Sequence, residues 1–398
     1  MDKARFASMI GAKVRSAGQL LGLRSTRSRI LAGALAVAVV LTVGLVVGFR
    51  MVLNRMDNAI PQTDLFGSST PTPSTSVDAS PTGEPSPPPS QAPDGADITG
   101  PLNILLAGHD MWAGESFRTA PHSDVVMVLH IDATLTHAYI TSLPRDLLVN
   151  VPAFGPSGSG ADYTKLTHAM TYGARVPGTG QQNVAQGFAL LAQTVSAYTG
   201  IPYFDAGAVI DFDGLPRLVD AIGGLDIYVD APVTSIHMGP DGTNRYVYGG
   251  PFMHYSVGMH HFVGWQALDY ARQRYGLPNG AYDRERHHRQ LVKAMIAKIF
   301  SFDLIQYPFT PAYVVQAVGG ALTLDLRGRR LHEFAYALRN LRPEAVTLVG
   351  IPGGSVFSGG TYLGEAQAPI QSSYFAAVRS DTVAQFLAAN PTLINDPR

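Results

Sequence analysis

VVMVLHIDATLTHAYITSL, residues 125–143, decides the fold. Two apolar runs, 125–131 and 138–143, flank a six-residue polar connection, and β-rich runs that close together read as paired strands. Residues 102–106 (LNILL) supply another strand upstream. Downstream, 182–199 is an apolar-faced helix stopped by Gly200, a residue suited to the left-handed position after a helix. Residues 212–222 read as a helix halted at Gly223-Gly224, followed by a strand at 225–229. Helices are expected at 264–274 and 284–300, on either side of a loop at 275–283. Toward the end come a helix at 331–341, a strand at 346–351 and a helix at 381–390 with Ser380 as its N-cap. Intermixed strands and helices with hairpin-like neighbours give an α/β (α+β) class, a mixed sheet flanked by helices.

The net charge of −1 over 398 residues hides an asymmetry. Eight Lys/Arg against Asp2 give residues 1–50 a charge of +7, which leaves −8 for the remainder. A nucleic-acid binder is expected to be basic over its folded part, so that partner class is set aside. The absence of cysteine excludes disulfides and thiolate metal sites. Residues 30–49 (ILAGALAVAVVLTVGLVVGF) are uncharged and match the ~20 residues a spanning helix requires. A cleaved signal peptide is the competing reading, but RMVLNR at 50–55 is not a small-residue cleavage site. The charge bias keeps the N-terminus cytoplasmic. The organisation expected is a basic cytoplasmic tail (1–29), a single transmembrane anchor (30–53), a Pro/Ser/Thr-rich extracytoplasmic linker (54–100) and a catalytic domain (101–398). That domain has its core at 101–300 and a C-terminal completion at 301–398.

One stretch concentrates cations. ALDYARQRYGLPNGAYDRERHHRQ (267–290) places Arg272, Arg274, Arg284, Arg286 and Arg289 within eighteen positions of an otherwise acidic exported part. Guanidinium groups repel, so a fold gathers them where solvent or a multivalent anion shares the site, and Arg matches phosphate oxygens. Arg284 opens the second helix of the pair, where unpaired N–H groups favour an anion. The bland alternative is a surface ion-pair lattice with Asp269, Asp283 and Glu285. Arg145 follows a strand in SLPRD, at an end where ligands collect, against the alternative of a turn with a surface ion pair; Lys165 in DYTKLTH is a candidate further phosphate contact or simply an exposed lysine. Asp110 ends NILLAGHD and Asp124 begins DVVMV; on neighbouring strands they would share one sheet edge and suit Mg²⁺. Each is otherwise a turn or cap residue. His260, His261, His287 and His288 lack zinc-site spacing, and the chain has no P-loop, GxGxxG or GxSxG.

Taken in order, NILLAGHD, HSDVVMVLHID, ITSLPRDLLVNVP, KLTHAMTYG, VIDFDGLPRLVDAIGGLDIYV and GMHHFVGWQALDYARQRYGLPNG resemble the LytR-CpsA-Psr (LCP) family of cell-wall ligases, in a style similar to actinobacterial members. The resemblance implies an LCP-type domain at the cell membrane. Its activity would be Mg²⁺-assisted transfer of a glycopolymer from a polyprenyl-pyrophosphate carrier to a hydroxyl of peptidoglycan, with pyrophosphatase activity as a possible accompaniment. Carried over by motif, Asp110 and Asp124 hold the metal. Asp124, Arg145, Arg272, Arg274 and Arg284 are the catalytic set, with Lys165, His288 and Arg118 joining the arginines around the pyrophosphate. Helices 182–199 and 284–300 either wall a prenyl slot or are simply core. The chain departs from the family at His122, where Arg is usual and Arg118 is the substitute, and at His287-His288, where Arg-Gln is usual. Those departures motivate the alternative function, a non-catalytic binder of lipid-linked glycan or regulator of wall assembly.

Overall fold

In the computed structural model the residues described are 62–67, 94–109, 120–212, 214–273, 276–301 and 322–395. The chain divides into two units, Met1–Arg55 and Met56–Arg398, and all of these residues belong to the second. The expected tail (1–29) and anchor (30–53), together with Asp110, Arg118 and Arg274, lie outside the described residues. Among the described residues no helix is long and apolar enough to cross a membrane.

The elements run β1 (Leu102–His109), β2 (Ser123–Ile131), β3 (Ala138–Ser142), β4 (Leu148–Val151), β5 (Asp162–Lys165), α1 (Thr167–Gly173), α2 (Val184–Thr199), β6 (Ala206–Asp211), α3 (Gly214–Ala221) and β7 (Leu225–Val229). There follow β8 (Val233–Thr234), α4 (Arg245–Tyr248), β9 (His254–Tyr255), β10 (Gly258–Phe262), α5 (Gly264–Arg272) and α6 (Ala281–Ser301). The last are β11 (Leu322–Asp325), α7 (Leu331–Ala337), β12 (Val346–Val349), β13 (Gly353–Ser358), β14 (Thr361–Gln367), α8 (Ile370–Arg379) and α9 (Val383–Ala389).

Six strands form a mixed sheet in the order β11-β6-β1-β2-β3-β12. β1 is antiparallel to β2 and parallel to β6, while β3 is antiparallel to β2 and parallel to β12. Both faces are covered, and the period-2 alternation of a strand sorts the side chains between them. Val126 and Val128 enter a core shared with Phe188, Leu191 and Val195 of α2. Met127, Leu129 and Ile131 face the opposite way, into a second core with Phe334 and Ala337 of α7. A third cluster joins α3, β7, α5 and the middle of α6 through Val219, Ile227, Tyr270 and Leu291.

Local chemistry sets the boundaries. The Asn183 side chain accepts from Gln186 N–H at 3.0 Å and starts α2, and Gly200 (φ 71°) ends it. α1 and α2 approach closely at Gly173, where a Cβ would stand 2.7 Å from Leu190 Cβ. The expected helix at 381–390 is shorter, Val383–Ala389, with Thr382 before it. Ser380 does not cap it; it closes α8, its hydroxyl donating back to Ala376 O at 3.0 Å.

The linker expected at 54–100 needs a further correction, because parts of it belong to the fold. Gln62 bridges to Leu324 in parallel, and Thr63 N–H donates to Leu324 O at 3.0 Å. Leu65 is fully buried, its N–H on Asp325 Oδ2 at 2.9 Å. Phe66 packs edge-on against Phe188 and lies under the Arg327 guanidinium, 3.6 Å from the ring centroid. Ile98 enters the second core.

Candidate active site

The sheet presents one end at which β1 finishes and β2 begins, His109 pairing with Ser123. β3 delivers the SLPRD loop to the same end. Leu143 N–H donates to Val126 O (2.9 Å), and Leu147 N–H closes a turn onto Pro144 O (3.0 Å). The start of α1 braces this loop, Thr167 N–H donating to Arg145 O at 2.9 Å.

This backbone aims three charged side chains. Arg145 lies against the Asp124 carboxylate in a largely buried ion pair, and its Nε is 3.9 Å from Asp146 Oδ1. Lys165, at the end of β5, reaches the same Asp146 oxygen at 3.2 Å. Its ammonium also stands 4.7 Å from the ring centroid of Tyr362. The tyrosine belongs to the β13–β14 hairpin, which seats directly on the SLPRD loop. Glu365 N–H donates to Asp146 O at 2.8 Å, and a Cβ on Gly364 would come within 2.5 Å of that same oxygen. Glu365 is buried and accepts from Ser355 Oγ and Tyr362 Oη, each at 2.9 Å.

α6 brings Arg284 and Glu285, both buried, near the same end, where Ser142 Oγ of β3 donates to Glu285 O at 3.5 Å. Burial pushes the Glu285 carboxyl up to about 7; Arg289 and Arg284 oppose the rise, while Glu365 and Asp146 add to it. Arg284 also acts electrostatically on the Tyr362 hydroxyl. Burial holds His168 below its usual value, with His122 and Lys165 acting in the same direction. His168 Nδ1 meets Thr164 Oγ1 at 2.7 Å. Cations held apart by interleaved carboxylates and partly sheltered from water have the donor chemistry that a multiply charged anion requires.

Whether these residues suit Mg²⁺ follows from the donor chemistry. Asp124 offers hard oxygen at the sheet end, and Mg²⁺ commonly takes one or two carboxylates, waters and phosphate oxygens rather than a full protein cage. Among the described residues no three His, Cys, Asp or Glu side chains converge in a metal-ligand cluster. One carboxylate from β2 therefore fits the ion only as part of such a hydrated, substrate-completed shell.

A sequence profile of the LytR_cpsA_psr family matches residues 69–377. The chain belongs to the LytR_cpsA_psr family. It is 27% identical over 206 residues to polyisoprenyl-teichoic acid–peptidoglycan teichoic acid transferase TagU of Enterococcus faecalis, covering 52% of this chain and 56% of TagU. It is 25% identical over 303 residues to the cell wall biosynthesis protein LcpA of Corynebacterium glutamicum, covering 68% of this chain and 53% of LcpA. The chain thus spans about half the length of these curated relatives. Its fold matches that of B. subtilis TagV with a TM-score of 0.52 at 19% identity, over 72% of this chain and 98% of TagV.

Against the residues that the LytR_cpsA_psr motifs single out, the structure brings together Asp124, Arg145 and Lys165 through Asp146, and Arg284 acts electrostatically on Tyr362, the ring beside Lys165. Arg272 ends α5 with its side chain exposed. α6 begins at Ala281, so Arg284 sits a full turn inside the helix rather than at its opening. Asp283 accepts instead from Asn279 N–H (2.8 Å) and Nδ2 (3.1 Å) in the preceding loop. His288 is not a phosphate contact: its ring is buried, Nε2 lies 2.9 Å from Ala271 O, and burial lowers its pKa to about 3. His287 is fully buried and stacks on Tyr270 at 4.1 Å. Arg286 pairs with Asp230 (3.1 Å) and Asp283 (3.2 Å), and these side chains are largely sheltered rather than part of an exposed lattice. Asp269 is committed elsewhere, to Ser235, Tyr255 and Gln273.

Asp146, Tyr362 and Glu365 are the site residues that sequence reasoning missed. The first adjoins Arg145. The other two lie on a hairpin whose only mark is Gly359-Gly360 between short runs of β-forming residues, a recognised turn signal.

Proposed function

We propose that this protein is a membrane-anchored extracytoplasmic phosphotransferase that moves a glycopolymer from a polyprenyl-pyrophosphate carrier to a hydroxyl of peptidoglycan, assisted by Mg²⁺. The observation that carries this reading is the gathering of Arg145 and Lys165 around Asp124 and Asp146 at one sheet end, with Arg284 acting electrostatically on the neighbouring Tyr362 and Glu285. Transferase names among the relatives support it. Phosphoryl transfer needs positioning and charge neutralisation more than covalent help from the protein. Arg145 and Arg284 would grip phosphoryl oxygens through their donor forks, and Lys165 would add a point charge at the rim. Asp124 and Asp146 keep Arg145 and Lys165 aimed before substrate arrives. Asp124, with Asp110, would hold Mg²⁺, which when bound polarises phosphoryl oxygens and neutralises the leaving phosphate.

The binder reading draws on His122 as well as on His287 and His288, and the surroundings of the latter two weaken their part of that support. Both rings are packed into the α5–α6 interface, so their departure from Arg-Gln is a matter of core chemistry. The test is to incubate the full-length protein in detergent micelles with a polyprenyl pyrophosphate, with Mg²⁺ or EDTA, and with a peptidoglycan glycan fragment. Mg²⁺-dependent release of prenyl phosphate with the other phosphate recovered on the glycan fragment, both lost in Arg145→Ala and Arg284→Ala, establishes the transferase, whereas recovery as inorganic phosphate shows hydrolysis alone. Tight binding of the carrier with no release in any condition establishes the binder instead.

A further inference from the structure

Around the cationic site the surface carries aromatic rings that the fold leaves in solvent. Tyr163 is 63% exposed, Phe357 61% and Tyr362 38%. Tyr163 and Lys165 are two apart on β5 and so project from the same face of that strand. Lys165 overlies Tyr362, and Tyr362 is the cross-strand partner of Phe357, their centroids 5.7 Å apart. The support is rigid, because Gly364 and Glu365 seat the hairpin directly on the SLPRD loop. A monomeric surface seldom exposes neighbouring large apolar groups without a partner.

We propose that Tyr163, Tyr362 and Phe357 form a carbohydrate platform that docks the acceptor glycan strand beside the phosphate site. The proposal rests on the transferase reading and adds the acceptor's binding surface to it. The rings offer apolar faces against which the C–H faces of a pyranose can stack, and their continuity with Lys165 puts a bound sugar beside the transferred phosphate. A lipid surface is the other occupant that exposed aromatics suggest. However, the hairpin 353–367 contains no Lys or Arg, and its one charge is the buried Glu365. Ser, Thr, Gly and Gln make up most of the rest, a composition suited to sugar hydroxyls rather than anionic headgroups. The acceptor is favoured over the donor because the donor already brings a pyrophosphate for the arginines. A phosphate-free acceptor must draw its affinity from stacking and neutral hydrogen bonds.

The experiment titrates full-length protein in detergent micelles with a phosphate-free tetrasaccharide of alternating N-acetylglucosamine and N-acetylmuramic acid. The variants are Tyr163→Ala, Phe357→Ala, the double variant and Phe357→Trp, with circular dichroism as the control for folding. Each alanine is expected to weaken binding by about three- to tenfold. The double variant should lose more, Phe357→Trp should bind like the parent, and prenyl phosphate release into water should stay unchanged. Failure of the parent to bind, or equal binding by the folded double variant, overturns the platform. So does quenching of the Phe357→Trp variant beyond that of the parent by brominated phosphatidylglycerol in nanodiscs, unchanged by added tetrasaccharide, which assigns the rings to a lipid surface. Ring-dependent tetrasaccharide binding without any transfer leaves the platform standing and overturns the transferase reading instead.

Discussion

The Arg145 guanidinium and the Asp124 carboxylate face each other across the gap between the SLPRD loop and the first residues of β2. The pair makes the cation available without letting it collapse onto the protein's own acids elsewhere. On the proposed function, a phosphate arriving at this point would exchange one anionic partner for another with little reorganisation.

Replacing Arg145 by alanine is expected to lower kcat/KM for carrier cleavage by about 100-fold or more, the scale of losing one donor to developing charge. It also leaves Asp124 without its counter-ion, at about 1–3 kcal/mol of stability, below the figure for a fully buried pair because the guanidinium is partly exposed. Steady-state kinetics beside urea denaturation measure both. Unchanged turnover in a folded variant would remove Arg145 from the site.

Asp124→Asn keeps the side-chain shape and removes the charge. The Mg²⁺ concentration for half-maximal activity is expected to rise by roughly tenfold, the order seen when a metal site loses a supporting group. An unchanged Mg²⁺ requirement with reduced turnover would instead show Asp124 acting only through Arg145.

Stability should fall in acid because of the buried imidazoles. His287 and His288 have pKa values lowered to about 3, so the unfolded chain binds protons below pH 6.5 that the native state refuses. Each therefore withdraws stability progressively from pH 6.5 toward 3, on the order of several kcal/mol over the full range. His287→Phe, which retains the stack on Tyr270, should move the acid-unfolding midpoint to lower pH. An unmoved midpoint would contradict the burial argument.

Glu285 has the opposite slope. Its carboxyl is raised to about 7, so between the unfolded value of 4.5 and 7 the native state holds a proton that the unfolded chain has lost. Stability from this group is greatest at the acid end of that window and declines as pH rises through 7. Glu285→Gln should therefore gain relative to the parent between pH 5 and 8, by on the order of 2–3 kcal/mol. Denaturant titrations at the two pH values give the difference directly, and an equal offset at both would refute a raised carboxyl.

Phe66→Ala is expected to destabilise the domain by about 3 kcal/mol, near the lower bound for a buried aromatic because the ring retains slight exposure. A residue in a solvated spacer would give no change, and chemical denaturation separates the two.

The central strands are legible in residues 102–143 because both faces of each are buried, which leaves near-continuous apolar runs. Composition hides QTDLFG at 62–67, where Leu65 and Phe66 are outnumbered by polar neighbours within a Pro/Ser/Thr stretch. The β13–β14 hairpin escapes detection for the converse reason: its exposed residues give no apolar period. Arg145 and Lys165 can be picked out locally, each following a strand-like run. Their partner surface at Tyr362 and Glu365 is about 200 residues further along and is known only from the fold. His288 entered the expected ligand set through the motif alone, and only the fold shows its ring against Ala271 O of α5.

The short pairing of Gln62 and Thr63 with Leu324 covers the outer side of β11, the last strand at that margin of the sheet. A fragment begun at residue 100, where the composition changes, would leave those N–H and C=O groups open to a second chain. Exposed margins of this kind template intermolecular strand addition. A soluble fragment that aggregates would then reflect where it was cut, while one begun upstream of Gln62 should remain monomeric.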